Sequence, residues 1–324
     1  MNLLVTGAAG FIGSTYVRTL LARDDAPSIT VLDKLTYAGT LDNLELDHPR
    51  LEFVRGDIRD AGLVDKLMAE ADQVVHFAAE SHVDRSIEGA GDFVLTNVVG
   101  TQTLLDAALR YRVEPFVHIS TDEVYGSVEA GSSTEEDILR PSSPYSASKA
   151  SSDLLALSYH RTHGLDVRVT RCSNNYGPHQ FPEKVVPLFI TNLLDGERVP
   201  LYGEGLNVRD WLHVDDHCHG VELVRTQGRP GEIYNIGGGT ELSNKDLTAL
   251  LLHACGADWD RVRHVEDRKG HDLRYSVDWT KARTELGYRP RHDFAAGLAA
   301  TVAWYRDHRA WWEPLKRRVG EEHG

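Results

Sequence analysis

The sequence predicts an α/β protein in which a doubly wound parallel sheet is followed by a smaller C-terminal domain. In the first half of the 324-residue chain, short apolar runs alternate with helical patterns, which is typical of a parallel sheet covered by helices on both faces. A glycine-rich turn follows the first run, and from about Asn174 the alternation weakens where glycines and prolines interrupt it. Because such sheets bind ligands at the carboxyl ends of their strands, the motifs that follow the runs indicate the candidate site.

Six apolar runs in the first half are predicted to be strands. They cover residues 3–5, 29–32, 51–54, 73–77, 116–119 and 167–170. A later run, Ile233–Ile236, is predicted to return to the same sheet before a helix that begins at Ser243. We therefore assign residues 1–173 plus about 207–239 to the first domain, about 174–206 plus 240–314 to a substrate-binding domain, and 315–324 to a solvated tail.

Composition limits the classes of function. The chain has 49 acidic residues against 35 lysines and arginines, a net charge of −14, so an extended nucleic-acid surface is not expected. No run reaches the ~20 apolar residues that span a bilayer, and the first residues lack a basic signal region, which predicts a soluble protein. The cysteines, Cys172, Cys218 and Cys255, share no C-x-x-C spacing, so we expect free thiols and a cytoplasmic location.

A GxxGxxG turn, Gly7, Gly10 and Gly13, lies between the first strand and a helical pattern. Without Cβ atoms these glycines permit a tight turn and the close approach of a pyrophosphate to the start of a helix. Asp33 ends the second strand, where its carboxylate can accept ribose hydroxyls and repel a 2′-phosphate. The pattern predicts a Rossmann domain that binds NAD in preference to NADP, although Lys34 can offset the charge of Asp33.

Further along this half, Asp57 and Ile58 follow the third predicted strand and are weaker candidates for contacting adenine. Tyr145 and Lys149 are spaced i, i+4 behind Pro144, which suits the first turn of a helix and places both side chains on one face. A nearby ammonium favours the phenolate, so the pair predicts a lowered tyrosine pKa and a catalytic base. Thr121, just past the fifth strand, can hydrogen-bond the reacting hydroxyl.

Asp122 and Glu123 are adjacent acids directly after Thr121. A simple alcohol dehydrogenase needs one proton acceptor, whereas removal of water also needs an acid for the leaving hydroxyl and a base for a carbon-bound proton. Two close carboxylates resist ionising together, which raises one pKa and leaves an acid beside a base. If both side chains enter the cleft, the sequence predicts oxidation coupled to dehydration.

Several longer stretches carry a family resemblance. They are residues 78–86 (AAESHVDRS), 121–126 (TDEVYG), 171–178 (RCSNNYGP), 181–184 (FPEK), 209–211 (RDW) and 270–275 (GHDLRY). On these residues the chain resembles, as far as about Pro314, the extended short-chain dehydrogenase/reductases and among them the dTDP-glucose 4,6-dehydratase family. The resemblance implies a Rossmann domain containing NAD, a smaller domain for a nucleotide sugar, and a homodimer. Lys269 stands where that family is expected to have proline.

The resemblance also implies a reaction. Tyr145 takes the C4 hydroxyl proton of dTDP-glucose as the carbon is oxidised, Glu123 removes the C5 proton, and Asp122 protonates the departing C6 hydroxyl. Hydride then returns to C6, which yields dTDP-4-keto-6-deoxy-glucose and water and regenerates NAD. No metal and no external redox partner are implied.

The family's binding positions map onto this chain residue by residue. For the cofactor they are Phe11, Ile12, Asp33, Lys34, Leu35, Thr36, Asp57, Ile58, Phe77, Ala78, Ala79, Ser81, Thr96, Tyr145, Lys149 and Asn175. For the sugar nucleotide they are Ser81, Asn174, Lys184, Val185, Pro200, Tyr202, Arg209, Asn244, Asp267, Arg268, Lys269, Gly270 and His271. The cations Lys184, Arg209 and Arg268 suit neutralisation of a diphosphate.

Other readings remain open from the sequence. A related enzyme could be a 4-epimerase or a 4,6-dehydratase of a UDP, CDP or GDP sugar, and a non-catalytic NAD-binding regulator would keep the same fold. The acid pair argues against an epimerase, and the Tyr145/Lys149 pair argues against a regulator.

Two other clusters are assigned structural roles. A histidine and aspartate cluster is interpreted as a helix start capped by Asp215 or Asp216 rather than as a metal site; it comprises His213, Asp215, Asp216, His217 and His219. Aromatic residues near the C-terminus predict a docked helix; they are Trp304, Tyr305, Trp311 and Trp312.

Overall fold

The computed structural model describes residues 1–322, with side chains as far as residue 319. Its strands are β1 (Asn2–Thr6), β2 (Ser28–Asp33), β3 (Leu51–Arg55), β4 (Gln73–His76), β5 (Phe116–Thr121), β6 (Val167–Cys172), β7 (Asn174–Tyr176), β8 (Val199–Tyr202), β9 (Val208–His213), β10 (Ile233–Ile236), β11 (Glu241–Ser243) and β12 (Val262–Val265). Its helices are α1 (Phe11–Leu21), α2 (Ala61–Met68), α3 (Val83–Glu88), α4 (Gly91–Phe93), α5 (Thr101–Tyr111), α6 (Pro144–His163), α7 (Val185–Leu194), α8 (Val214–Gln227), α9 (Asn244–Cys255), α10 (Thr280–Leu286), α11 (Phe294–Asp307) and α12 (Arg309–Glu322). A π-helical turn, Val94–Gly100, joins α4 to α5.

The predicted parallel sheet is confirmed. In the described part of the chain it has seven strands in the order β10-β6-β5-β4-β1-β2-β3, and Ile233–Ile236 returns to it beside β6 as expected. One boundary differs from the prediction. Thr121 belongs to β5 rather than following it, because the ladder with β6 continues to the pair Thr121 and Cys172.

Alternate residues of the central strands are buried on opposite faces of the sheet, as strand geometry requires. Leu3 and Val5 of β1 pack with α1 and α8, whereas Leu4 between them packs on the side of α2, α5 and α6. All three side chains are at most 1% exposed. The sheet is therefore covered by helices on both sides, and only its ends are accessible to a ligand.

The smaller domain is built on two short sheets, β11-β9-β7 and β12-β8, with α7, α9, α11 and α12 around a second core. Strand β9 lies inside the range predicted for the first domain but pairs with β7 and β11 instead. The helix that follows it, α8, packs on the large sheet. The chain thus crosses between the two units here, and the predicted domain limits stay a prediction.

The predicted cap of helix α8, Asp215 or Asp216, is wrong. Helix α8 is capped by His213, whose Nδ1 accepts the Asp215 N–H at 3.3 Å, because β9 runs directly into the helix at that residue. Asp216, predicted as a possible cap, instead accepts the N–H groups of Arg291 and His292, each at 3.0 Å.

The predicted tail at 315–324 is also different, since residues 315–322 continue α12. Leu315 is buried, and Lys316 Nζ lies 2.6 Å from an Asp195 carboxylate oxygen. The helix docks because Trp312, one turn earlier, is fully buried in the small domain, as the aromatic pattern predicts. The last two residues of the predicted tail lie outside the described range. Within that range no helix is long and apolar enough to cross a membrane.

The docking of α12 can be tested with a tryptophan substitution. Trp312→Ala should lower the free energy of unfolding by about 3–5 kcal/mol, because it leaves a cavity in the core and an unpaired Tyr305 carbonyl. Trp259→Ala is the matched control: its side chain is 45% exposed, so a change within about 0.5 kcal/mol is expected. Urea denaturation measures both, and equal values for the two variants would contradict a docked helix.

Candidate active site

A cavity of about 490 Å³ lies at the carboxyl ends of the large sheet and extends to the small domain. It brings together the glycine turn, the acid pair, Tyr145, Lys149 and side chains of the small domain. All the residues predicted to bind the cofactor line it except Leu35, and all those predicted for the sugar nucleotide except Asp267 and Lys269. The binding roles themselves stay predictions.

Two of the three exceptions, Leu35 and Asp267, occupy supporting positions. Leu35 has a positive φ of 56°, and its N–H donates to Asp33 at 2.8 Å. Asp267 accepts a hydrogen bond from His271 Nδ1 at 2.7 Å, so it orients a cavity residue instead of facing the cavity. Lys269 is exposed to solvent.

The glycine turn has the geometry of a phosphate cradle. Gly7 has φ +72°, and a Cβ there would lie 2.4 Å from the backbone nitrogen of Ala78, so the loops after β1 and β4 approach too closely for any side chain. Gly10 is the N-cap of α1, and no side chain among the described residues caps that helix. Its first N–H groups therefore face the cavity end of the turn, where a pyrophosphate fits.

Charges around Asp33 favour NAD over NADP. Asp33 Oδ2 accepts the N–H of Ala9 at 2.9 Å, and burial raises the pKa of its carboxyl group. Lys34 turns away from it: Nζ lies 3.0 Å from Asp57 Oδ2. Although burial acts in the opposite direction, hydrogen bonds from Arg59 and Lys34 hold the Asp57 pKa well below its usual range. The cation that could accommodate a 2′-phosphate is thus already paired with Asp57.

The π-helical turn supports the cofactor side in a way that the sequence did not reveal. Asn97 within it accepts the Glu80 N–H and donates to the Glu80 carbonyl, both at 2.9 Å, and it also donates to Ser148 Oγ at 2.8 Å. The loop after β4 is therefore tied to the helix that carries Tyr145. A π turn adds a residue without changing apolar content, so hydrophobic periodicity carries no signal for it.

The acid pair lies where β5 ends and a 3₁₀ turn, Asp122–Tyr125, begins. Thr121 organises this turn: its Oγ1 accepts the Glu123 N–H and donates to Asp122 Oδ1, each at 3.2 Å. The two adjacent side chains both reach the cavity, which sequence adjacency alone did not guarantee.

The surroundings of the two acids differ. Burial, and then the charge of Glu123, raise the pKa of Asp122 well above its ordinary value. Burial also raises the pKa of Glu123, but the cations Arg209, Lys184 and Arg268 oppose that shift. The environment therefore favours the protonated form of Asp122 more strongly than that of Glu123, where the cations oppose the shift, and the assignment of acid and base stays a prediction.

The tyrosine and lysine share one face of α6, and Pro144 is at the helix start as predicted, behind the N-cap Ser143. The predicted lowering of the Tyr145 pKa does not occur in the protein by itself. Burial and the charge of Glu123 raise that pKa well above its ordinary value. Lys149 Nζ donates to the Ile119 carbonyl at 2.6 Å, and burial lowers its own pKa to about 8.

The small domain and its neighbouring loops supply the cations. Lys184 Nζ donates to the Ser81 carbonyl at 2.8 Å, and the Arg209 guanidinium lies 4.2 Å from the centre of the Tyr275 ring. Arg268 Nε lies 2.5 Å from an Asp84 oxygen. These three predicted residues converge on one cavity, as a diphosphate group requires.

The histidine cluster is partly dispersed. Among the described residues, His213, Asp215 and His292 each place one potential ligand atom within 4.8 Å of the others, whereas His217 and His219 do not belong to this group. The His213 Nδ1 already accepts the Asp215 N–H, and its ring stacks on His292 at 4.0 Å. The absence of a metal site stays a prediction.

Comparison with known proteins places this fold and site in a family. A family model described as GDP-mannose 4,6 dehydratase matches residues 4–301. A dTDP-glucose 4,6-dehydratase of Streptomyces antibioticus is 75% identical over 98% of this chain and 96% of its own length. The crystal structure of the dTDP-glucose 4,6-dehydratase DesIV from Streptomyces venezuelae, with NAD and TYD bound, is 63% identical, covers 97% of this chain and 100% of its own, and has a TM-score of 0.95.

The fold alone is shared more widely. A UDP-glucose 4-epimerase from Thermotoga maritima, solved with UDP-glucose, is 33% identical over 95% of this chain and 99% of its own, with a TM-score of 0.89. The sequence identity of the dehydratase relatives, 75% and 63%, is much higher. The chain belongs to the dTDP-glucose 4,6-dehydratase family of NAD-dependent short-chain dehydrogenase/reductases.

Proposed function

We propose that this protein converts dTDP-glucose to dTDP-4-keto-6-deoxy-glucose and water. The observation that carries the proposal is the buried pair of Asp122 and Glu123 in the same cavity as Tyr145, with cations near Glu123 that oppose the rise in its pKa. High identity to relatives named for this reaction supports it.

The first half of the reaction is oxidation at sugar C4. Tyr145 accepts the C4 hydroxyl proton, and Thr121 lines the same cavity, where its hydroxyl group can hydrogen-bond the reacting hydroxyl. When bound, NAD would accept the hydride from C4 and would contribute positive charge that opposes the rise in the Tyr145 pKa. Lys149, anchored on Ile119, supplies a second cation on the same helix face.

The second half is elimination of water, after which the hydride from C4 would return to C6 and a proton to C5, so that the cofactor would be restored to its oxidised form. The C4 ketone acidifies the C5 proton, and Glu123 is the carboxylate placed to remove it. Asp122 gives its proton to the departing C6 hydroxyl, so that the acid and base have opposite protonation states before the step begins. A 4-epimerase needs no elimination acid, which is why the buried Asp122 favours the dehydratase over the epimerase that shares this fold.

We also propose that the sugar carries a thymidine diphosphate. The converging cations Lys184, Arg209 and Arg268 suit the diphosphate, and the names of the similar enzymes support thymine. A cytoplasmic location is proposed on the free thiols Cys172, Cys218 and Cys255, which suit a reducing compartment.

A homodimer is proposed from an exposed apolar surface on the π turn and α6. Val94, Leu95 and Val99 are 48%, 43% and 40% exposed, and Leu154 is 60% exposed on the neighbouring helix. The helical patterns at 96–111 and 145–162 of the sequence also predict an intersubunit four-helix bundle that uses Leu104, Leu105, Leu154 and Leu155, and for Leu104 and Leu105 this prediction is wrong. Both leucines are fully buried in the core of the large domain, because α5 turns that face toward the sheet.

The roles of the acids predict that substitutions stop different steps. Tyr145→Phe should abolish oxidation, so no reduced-nicotinamide absorbance should appear when dTDP-glucose is added. Glu123→Gln should still show that absorbance in a single turnover while water loss slows by about 10²-fold or more. Asp122→Asn should also slow elimination, and less severely where water can supply the proton. Keto-deoxy product formed by Glu123→Gln at the wild-type rate would refute these roles.

Base preference is checked by comparing kcat/KM for dTDP-glucose and UDP-glucose with one enzyme preparation. We expect the thymidine nucleotide to be preferred by about tenfold or more, the factor that about 1.4 kcal/mol of differential binding supplies. A preference for the uridine nucleotide would exclude the proposed substrate while leaving the two-step chemistry intact.

The dimer is tested by placing a charge on its proposed surface. Light scattering at micromolar concentration should give twice the 36.1 kDa chain mass for the wild type and a shift toward 36.1 kDa for Leu154→Glu. Leu206→Glu is the matched control, because Leu206 is 62% exposed on the loop between β8 and β9, and it should leave the mass unchanged. A wild-type mass of one chain would rule out a stable dimer.

A further inference from the structure

The C-terminal helix α12 reaches from the small domain to the large one. Trp312 anchors it in the small-domain core, where its Nε1 donates to the Tyr305 carbonyl at 2.6 Å. The adjacent Trp311 points the other way and donates from Nε1 to Asn43 Oδ1 at 3.1 Å. Asn43 belongs to the loop after β2, so consecutive tryptophans of one helix contact the two sides of the cofactor cleft.

Asn43 uses every polar atom of its side chain. It is 3% exposed, its Nδ2 donates to the Ala9 carbonyl at 3.0 Å, and its Oδ1 accepts from Trp311 and His179. An amide oxygen only accepts, so His179 must carry its proton on Nδ1. Burial lowers the His179 pKa to about 3, which keeps the ring neutral and the hydrogen bond intact near neutral pH.

Ala9 is the part of the glycine turn that this contact holds. Its N–H donates to Asp33 at 2.9 Å, and its carbonyl accepts from the Thr40 N–H at 3.1 Å as well as from Asn43. The peptide groups on both sides of Ala9 are therefore oriented by residues of the next strand and loop. Before α1 begins at Phe11, the turn carries no side chain larger than the methyl groups of Ala8 and Ala9.

His179 packs against the tryptophans of α11 and α12 and so holds its own loop, on the opposite side of the cleft, next to Asn43. It has φ +66°, and its ring lies 4.5 Å from that of Trp304 and 5.3 Å from that of Trp311. The next residue, Gln180, lines the cavity, and its carbonyl accepts from Tyr305 OH at 2.5 Å. Helices α11 and α12 thus hold both a cleft loop and, through Asn43, the glycine turn.

We propose that Asn43 is a positioning residue through which α12 holds the glycine turn and slows the release of NAD. Opening the turn requires the Asn43 amide to leave Ala9, and that amide is held by a helix anchored in the opposite domain. Slow release suits an enzyme whose cofactor is restored in every turnover. The inference rests on NAD binding and not on the identity of the sugar, so a wrong sugar assignment would leave it unaffected.

The test measures NAD release directly. Protein loaded with NAD is freed of excess cofactor by gel filtration, and released NAD is captured by alcohol dehydrogenase with ethanol. Trp311→Phe keeps an aromatic ring but removes the donor to Asn43, and Asn43→Asp keeps the acceptor but removes the donor to Ala9. Each should accelerate release by about two- to tenfold, the range for one hydrogen bond. Turnover by Trp311→Phe at saturating NAD should stay within about twofold of the wild type.

Because Trp311 and Asn43 are proposed to belong to one connection between α12 and the glycine turn, the double variant provides a second test. The double variant should release NAD within about twofold of the faster single variant, because both substitutions break one connection. Trp259→Phe makes the same ring change on an exposed surface away from the cleft and should not alter release. Single variants that release NAD at the wild-type rate, additive effects in the double variant, or an equal effect of Trp259→Phe would overturn the proposal. If one single variant fails to fold, the other decides.

Discussion

Burial of two adjacent carboxyl groups at the end of β5 is the constraint on which the site depends. Two such groups cannot both ionise at low cost in a cavity shielded from water, so one must hold a proton or meet cations. Here Asp122 is buried beside Glu123, and Glu123 faces Arg209, Lys184 and Arg268. Since these cations come from outside the large sheet, they oppose the rise in the Glu123 pKa only when the two domains meet across the cleft.

The cofactor side depends on a different requirement, the close approach of backbone to backbone. Gly7 lies against Ala78 with no room for a Cβ, and the turn that results has few side chains to stabilise it. Polar side chains from elsewhere supply that stability: Asp33 and Asn43 bind the two peptide groups of Ala9. The cleft is thus held from the second strand, from the π turn through Asn97, and from α12.

Much of this could be predicted from local pattern. Strand positions follow from short apolar runs, because a strand buried on both faces needs little else in its sequence. The glycine turn, Asp33 and the i, i+4 pair of Tyr145 and Lys149 have fixed spacings with a direct physical meaning, and the structure brings them to one cavity. The identity of the sugar nucleotide came only from resemblance, because no single residue of the cavity specifies thymine by its spacing.

The sequence by itself determined the sheet, the cofactor turn and the presence of an acid pair, since each depends on residues near one another in the chain. Tertiary structure decided how many cations face each acid, because Arg209, Lys184 and Arg268, which oppose the rise in the Glu123 pKa, are distant from it in sequence. It also decided that His213 rather than Asp215 caps α8, that Lys34 pairs with Asp57, and that residues 315–322 continue a docked helix. In each case the deciding contact is one that hydrophobic periodicity does not report, and it forms only when the chain folds.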